Sequence, residues 1–250
     1  MSLLQVENLT IRFGGLLAVS DVSFDVEPGV VTALIGPNGA GKTTTFNAIC
    51  GLNQPTTGRV LFEGRDISAY KPHERARLGI ARTFQRLEVF GSLTARENIL
   101  VAAEIRRRWA RGHYDVQAET EEILDRVGIR SVADERVDAI PTGLARLVEL
   151  GRALATRPRL MLLDEVSSGL GEGEESDLMA ELLVRFAGEG LAVLLVEHDV
   201  DLVMRVCSTI HVLDFGKLIA SGTASEIQAN QVVQAAYLGE ADEETMEAAQ

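Results

Sequence analysis

Eight consecutive residues, Gly36-Pro37-Asn38-Gly39-Ala40-Gly41-Lys42-Thr43, constrain this chain more than any other feature. They match G-x-x-x-x-G-K-[ST], a loop whose backbone N–H groups curl around phosphate. The flanks suit the motif. Residues 31–35 (VTALI) form the short β-branched apolar run of a buried strand, and residues 43–50 read as a helix leaving the loop. Glycine permits the tight turn that aims N–H groups inward, and the helix N-terminus adds partial positive charge. Such a loop sets Lys42 against the β and γ phosphates and the Thr43 hydroxyl on Mg²⁺. The alternative, a glycine-rich turn without a ligand, is disfavoured by the full eight-residue match between strand and helix.

Charge and cysteine content narrow the function classes. The net charge of −13 argues against a nucleic-acid binder working through a broad basic face. Part of the acidic excess lies in residues 239–250, read as a frayed, solvated end; a partner-binding tail is the alternative. No apolar run approaches bilayer length, and the first residues lack a signal-peptide layout, so a cytosolic location is expected. Cys50 and Cys207 are far apart with no metal-binding spacing, which fits reduced thiols, Cys50 as a small core residue.

Taken in order, residues 3–13 alternate as a strand with a turn at Glu7-Asn8, and residues 19–26 alternate likewise. Two antiparallel strands ahead of the phosphate loop imply an added β layer. Phe13, ending the first strand, reads either as a ring stacked on a nucleobase or as an ordinary strand-end aromatic. Residues 59–64 are a strand, 73–78 a short polar helix, and 80–84 a buried strand ending in Gln85, where a polar side chain can reach Mg²⁺ or water. Taken alone, Gln85 would more often be a solvated loop residue. Over residues 94–155 helical periodicity takes over, in segments 95–109, 118–127 and 144–155, as a helical insertion between strands of the core sheet. Its one basic run, residues 106–111, reads as a solvated helix end, against a contact with lipid headgroups or an acidic partner. Residues 159–165 are an apolar strand closed by Asp164 and Glu165. After a phosphate loop, the first carboxylate sits by Mg²⁺ and the second polarises water as a general base; alone, the pair could be a helix cap. A helix over 172–187 leads to the buried strand 191–196 and to His198, placed to bond a γ-phosphate. Residues 208–214 and 218–220 form a hairpin, and short helices over 223–229 and 231–238 finish the chain. The fold class is therefore α/β: a phosphate-loop NTPase core sheet with an added antiparallel β layer and an inserted α-helical subdomain. The core takes residues 1–93 and 156–238, the insertion 94–155.

The order phosphate loop, Gln85, helical insertion, Asp164-Glu165, His198 resembles the ATP-binding subunit of ABC transporters over nearly the whole chain. Residues 9–19 resemble its aromatic adenine-stacking loop, 81–85 its Gln loop, and 196–199 its His switch. Residues 79–85, 90–98 and 236–239 look closest to the ATPases of branched-chain and hydrophobic amino-acid importers, with lipid- and urea-transporting relatives as the alternative. The resemblance implies ATP and Mg²⁺ as cofactors. It assigns Gly36 to Thr44, Phe13 and Val19 to the nucleotide, Thr43, Gln85 and Asp164 to the metal, and Lys42, Gln85, Glu165 and His198 to catalysis. It further implies a peripheral position on the cytoplasmic face of the plasma membrane, beside two permease subunits, a second ATPase subunit and, indirectly, a solute-binding protein.

One stretch departs from the family pattern. Where Leu-Ser-x-Gly-Gln is usual, the chain has Ile140-Pro141-Thr142-Gly143-Leu144, in register with the helix 146–154 that follows. Pro141 lacks both the serine hydroxyl and an N–H, while Gly143 keeps its backbone donor; both are assigned to a partner's nucleotide. Val166 stands where proline is common, and Gly171 where Asp or Asn is usual. A heterodimer with unequal sites is therefore favoured over a homodimer. Other ATPases of this fold need long coiled coils or two cores, a GTPase needs an Asn-Lys-x-Asp guanine reader, and a small-molecule kinase does not explain Gln85 with His198. A dead binding module is disfavoured because Lys42, Asp164 and Glu165 all stand.

Overall fold

Three runs of five residues set the architecture. β3 (Val31–Ile35), β7 (Leu160–Asp164) and β8 (Ala192–Val196) are buried at every position, which requires a parallel sheet covered on both faces. The computed structural model describes residues 2–110, 115–167 and 174–237. In chain order the remaining elements are β1 (Leu4–Phe13), β2 (Leu16–Val26), α1 (Lys42–Cys50), β4 (Thr57–Phe62), β5 (Arg65–Asp66), α2 (Pro72–Leu78), β6 (Ile80–Arg82), α3 (Ala95–Arg107), α4 (Val116–Arg126), α5 (Thr142–Ala155), α6 (Glu174–Gly188), α7 (Val200–Val206), β9 (Thr209–Asp214), β10 (Lys217–Gly222) and α8 (Ala224–Gln228). The larger sheet runs β10-β9-β3-β8-β7-β6, and all its pairings are parallel except β9 with β10. The smaller sheet, β2-β1-β4-β5, is antiparallel.

Strand alternation sorts the apolar residues into two cores. Val31, Ala33, Met161, Leu163, Val193 and Leu195 face a core shared with α3 to α7. Leu34, Leu160, Leu162, Leu194 and Val196 face the other, shared with α1 and the antiparallel sheet. Helix starts follow local chemistry. Thr94 caps α3, accepting from Glu97 N while Glu97 reaches back, and Asp115 accepts from the first turn of α4. Gly151 lets α5 approach α3 closely, since a Cβ there would lie 2.9 Å from Ile99 Cδ1.

Several boundaries differ from expectation. The turn expected at Glu7-Asn8 is a bulge within a continuous β1: Asn8 is left-handed at φ 49°, register shifts flank it, and its side chain bonds Asp21 at 2.9 Å. β2 begins at Leu16, because Gly14 turns the hairpin in two residues. Residues 59–64 prove to be the third strand of the added layer, paired with β1. β6 stops at Arg82, although Thr83 N still donates to Leu162 O at 3.0 Å. α7, capped by Asp199, was not anticipated, because its seven residues are too few to show a period. Arg111, His113, the helix start at Glu172, Gly171, Leu238 and the acidic tail lie outside the described residues.

Arg75 anchors α1. It is 1% exposed, and its guanidinium donates to the carbonyls of Ala48 (2.5 Å), Ile49 (2.7 Å), Ser68 (2.9 Å) and Tyr70 (3.1 Å). It thereby satisfies the C-terminal carbonyls of the phosphate-loop helix where that helix's dipole is negative. Replacing Arg75 with leucine strands these acceptors and is expected to cost about 3 kcal/mol, read as a fall in the urea midpoint.

Candidate functional site

Polar residues gather where the parallel strands end, because β3, β7 and β8 are mostly apolar and buried along their length. In spatial order, β9 leads to Phe215, β3 to the loop 36–41, β8 to His198, β7 to Asp164-Glu165 and β6 to Gln85. β3 lies between β9 and β8, so its loop emerges where the strand order switches from one side of the sheet to the other, the usual position for a ligand cleft. A cleft of about 590 Å³ opens there, lined by Phe13, Asn38 to Thr44, Gln85, Glu165, His198 and Phe215 among others. Val19 is fully buried behind Gly41 and does not line the cleft, nor do Gly36, Pro37, Asp164, Pro141 or Gly143. Phe215, 86% exposed and left-handed at φ 41°, was missed from sequence, since a hairpin-tip aromatic carries no pattern.

The loop's glycines are required by contact as well as by φ. Gly36 has φ 147°, and a Cβ there would fall 2.0 Å from Leu213 O; at Gly41, φ 98°, it would fall 2.7 Å from Ala18 O. Gly41 opens α1 with no side-chain cap and no acidic residue in the first turn, which leaves the helix end to attract an anion. Lys42 is 6% exposed, and its Nζ donates to Gly36 O at 2.5 Å and Pro37 O at 2.8 Å, which holds its charge inside the loop's curve.

Glu165 and His198 meet directly, His198 Nε2 lying 3.0 Å from Glu165 Oε1. Glu165 is left-handed at φ 52° and is held by its own N–H, which donates to Val196 O at 2.8 Å. Glu197, buried between them, fixes both loops. It accepts from Ser167 N (2.7 Å), Ser167 Oγ (2.8 Å) and His198 N (3.1 Å). Its neighbour Cys207 is pushed up to about 12, by burial first and by the Glu197 charge second. Asp164 is buried, accepts from Arg82 Nη2 at 2.7 Å, and its N–H donates to Thr83 Oγ1 at 3.3 Å.

Gln85 is exposed, but its backbone is tied to α5: Arg146 donates to Gln85 O at 2.6 Å and Phe84 O at 3.1 Å, and pairs with Glu149 at 3.1 Å. Burial pushes the Glu149 carboxyl above its ordinary range, against bonds from the backbone of Glu88 and from Arg146. Arg146, Glu149 and Arg152 stand three apart on α5, so the signal was charge on the inward face of an amphipathic helix. A second cleft of about 380 Å³ opens between α2, the 84–90 loop, α3 and α5, with Cys50, Arg82, Phe84, Phe90, Ile105 and Arg152 on its walls. Burial raises the Cys50 thiol, against the pull of Arg82. Pro141 is the N-cap residue of α5; it is exposed with Thr142, no side chain caps the helix there, and Gly143 is buried.

The donors suit a nucleotide with a hard cation. The glycine cradle leaves room only for backbone around an anion. Thr43, Gln85 and Asp164 offer oxygen, as Mg²⁺ prefers. Among the described residues no cluster of three or more His, Cys, Asp or Glu forms a cage of its own, so such an ion would be held jointly with phosphate oxygens. No described helix is long and apolar enough to cross a membrane.

Comparison with known proteins agrees with this arrangement. A family model described as ABC transporter matches residues 19–168, and one described as branched-chain amino acid ATP-binding cassette transporter matches residues 217–243. The chain is 39% identical to the high-affinity branched-chain amino acid transport ATP-binding protein BraF of Pseudomonas aeruginosa, covering 96% of this chain and 98% of BraF. It is 35% identical to LivG of Escherichia coli, which carries the same description, with the same coverage. It is also 35% identical to the lipopolysaccharide export system ATP-binding protein LptB of Haemophilus influenzae, again with the same coverage. Among solved structures, the ADP conformation of an ATP-binding cassette of an ABC transporter superposes with TM-score 0.84 at 30% identity, over 96% of this chain and all of that one.

Glu197→Ala would leave the Ser167 and His198 donors without their buried acceptor. The expected loss is about 2–3 kcal/mol of stability, measured by denaturant unfolding.

Proposed function

The chain belongs to the ATP-binding cassette family of ABC transporters, and on that footing we propose that it powers uptake of branched-chain or other hydrophobic amino acids. It is an ATPase and a component of a membrane transport system. The observation that carries the mechanism is the convergence, in one cleft, of the phosphate loop with the Glu165–His198 pair at 3.0 Å. Residues 36–44 hold the triphosphate, Lys42 meets the β and γ phosphates, and Phe13 stacks on the base. Glu165 takes the proton of the attacking water. His198 fixes the Glu165 carboxylate and bonds the γ-phosphate, and Gln85 orients water. Thr43, Asp164 and Gln85 hold Mg²⁺, which when bound neutralises phosphate charge.

Two such subunits clamp two nucleotides, and hydrolysis lets them part. The membrane permeases dock from the cytoplasmic face into the 380 Å³ cleft, where the Gln85 loop meets the helices of the 94–155 insertion. The amino-acid substrate class rests on the names of BraF and LivG and on the match over residues 217–243, which favours it over lipid. A solute-binding protein then acts indirectly, through the permeases. The exposed Pro141 offers a partner's nucleotide neither hydroxyl nor N–H, so this chain's own site pairs best with a companion ATPase of regular signature. A missing hydrogen bond to a charged acceptor is worth about 1.5–3 kcal/mol, or about one to two decades in rate.

Two measurements test this. Glu165→Gln is expected to lower steady-state ATPase by about a thousandfold while ATP binding survives; wild-type turnover in that variant overturns the assignment. The protein purified alone should hydrolyse ATP at least about tenfold more slowly than with its companion ATPase and permeases. Full activity alone rejects the unequal heterodimer.

A further inference from the structure

Arg82, the last residue of β6, touches groups that belong to both clefts. Its side chain is 8% exposed. Nη2 donates to Asp164 Oδ2 at 2.7 Å, and Nη1 donates to Asn47 Oδ1 at 2.6 Å, on the helix that begins with Lys42. The guanidinium carbon lies 4.8 Å from the Phe84 ring centroid and 5.7 Å from that of Phe46. Nε is buried without a hydrogen-bond partner. Arg82 and Phe84 are both on the wall of the 380 Å³ cleft, and Phe84 immediately precedes Gln85.

One planar group makes all of these contacts. Only a planar fork can serve Asp164 and Asn47 on one edge while presenting its face to an aromatic ring. A lysine would keep the charge and lose the geometry. A carboxylate that ligates a cation is oriented by what holds its other lone pairs, and loss of such an outer partner weakens metal binding by about 10–100-fold.

We propose that Arg82 is the positioning residue for the Asp164 carboxylate, and that its stack on Phe84 makes the wall of the docking cleft part of the same rigid unit. The inference rests on the reading of Asp164 as a magnesium ligand. An element seated in the cleft bears on Phe84 and Arg82, and so on Asp164.

The test is a Mg²⁺ titration of the full chain at saturating ATP, read as thermal stabilisation, with ATP affinity in EDTA measured in parallel. Arg82→Lys isolates geometry from charge. It is expected to raise the Mg²⁺ midpoint by about tenfold and to leave ATP affinity in EDTA within about twofold of wild type. Phe84→Ala removes the ring, leaves the ion pair, and should raise the midpoint by about threefold. An unchanged midpoint in either variant overturns the proposal, as does an equal loss of affinity with Mg²⁺ and with EDTA, which marks a purely structural clamp. Should Arg82→Lys fail to fold, Phe84→Ala decides alone. Failure of the underlying reading looks different, because wild-type protein itself would then show no Mg²⁺-dependent stabilisation.

Discussion

The structure depends on a largely parallel sheet whose three central strands are covered on both faces. β3, β7 and β8 are buried along their whole length, one set of alternate residues packing under the helices and the other under α1 and the antiparallel sheet. The ionisable side chains at the end of β7 and in the loops after β3 and β8 therefore appear where those strands stop. Since β6, β7, β8, β3 and β9 all run the same way, those stops share one edge. The cleft is a consequence of strand direction before it is a consequence of any one residue.

A second layer of organisation is made by buried charge. Arg75 closes the far end of α1, Arg82 joins Asp164 to α1, Arg146 holds the Gln85 backbone, and Glu197 joins the loops bearing Glu165 and His198. Each is desolvated and so is costly unless its hydrogen bonds are met. That cost is a source of precision: a group with several fixed partners tolerates little displacement. Three of these four hold residues around the 590 Å³ cleft to an element distant in sequence, which is how loops without regular structure acquire definite positions.

The antiparallel layer has a related task. The β1–β2 hairpin, bent by bulges at Asn8 and Asp21, brings Phe13 to the cleft mouth. Gly216, after Phe215, donates its N–H to Ala40 O at 3.1 Å, and Ser20 N donates to Gly216 O at 2.7 Å. The added layer, the β9–β10 hairpin and the phosphate loop are thus locked together by main-chain bonds, independent of side-chain identity.

Local sequence sufficed wherever a signal is short-range. The phosphate loop between its strand and helix, the acidic strand end at Asp164-Glu165, the three long helices of the insertion and the α/β class with its extra β layer were all legible, because each follows from periodicity, glycine spacing or a motif read within about twenty residues. The bulge at Asn8 was mistaken for a turn, since a left-handed residue looks the same in either setting until its partner strand is known. Val19, assigned to the nucleotide, proved to be a support behind Gly41. Arg75, Arg82, Glu197 and the α5 charges had no legible role, because a charged side chain reads as solvated surface until its distant partners, such as Ile49 for Arg75 (26 residues away), Asp164 for Arg82 (82) and Ser167 for Glu197 (30), are brought beside it. The sequence by itself determined the fold class, the long elements and the glycine-rich loop between β3 and α1. Only the tertiary structure decided which buried charges hold those loops in place, because hydrogen-bond partnership is a property of distance in space.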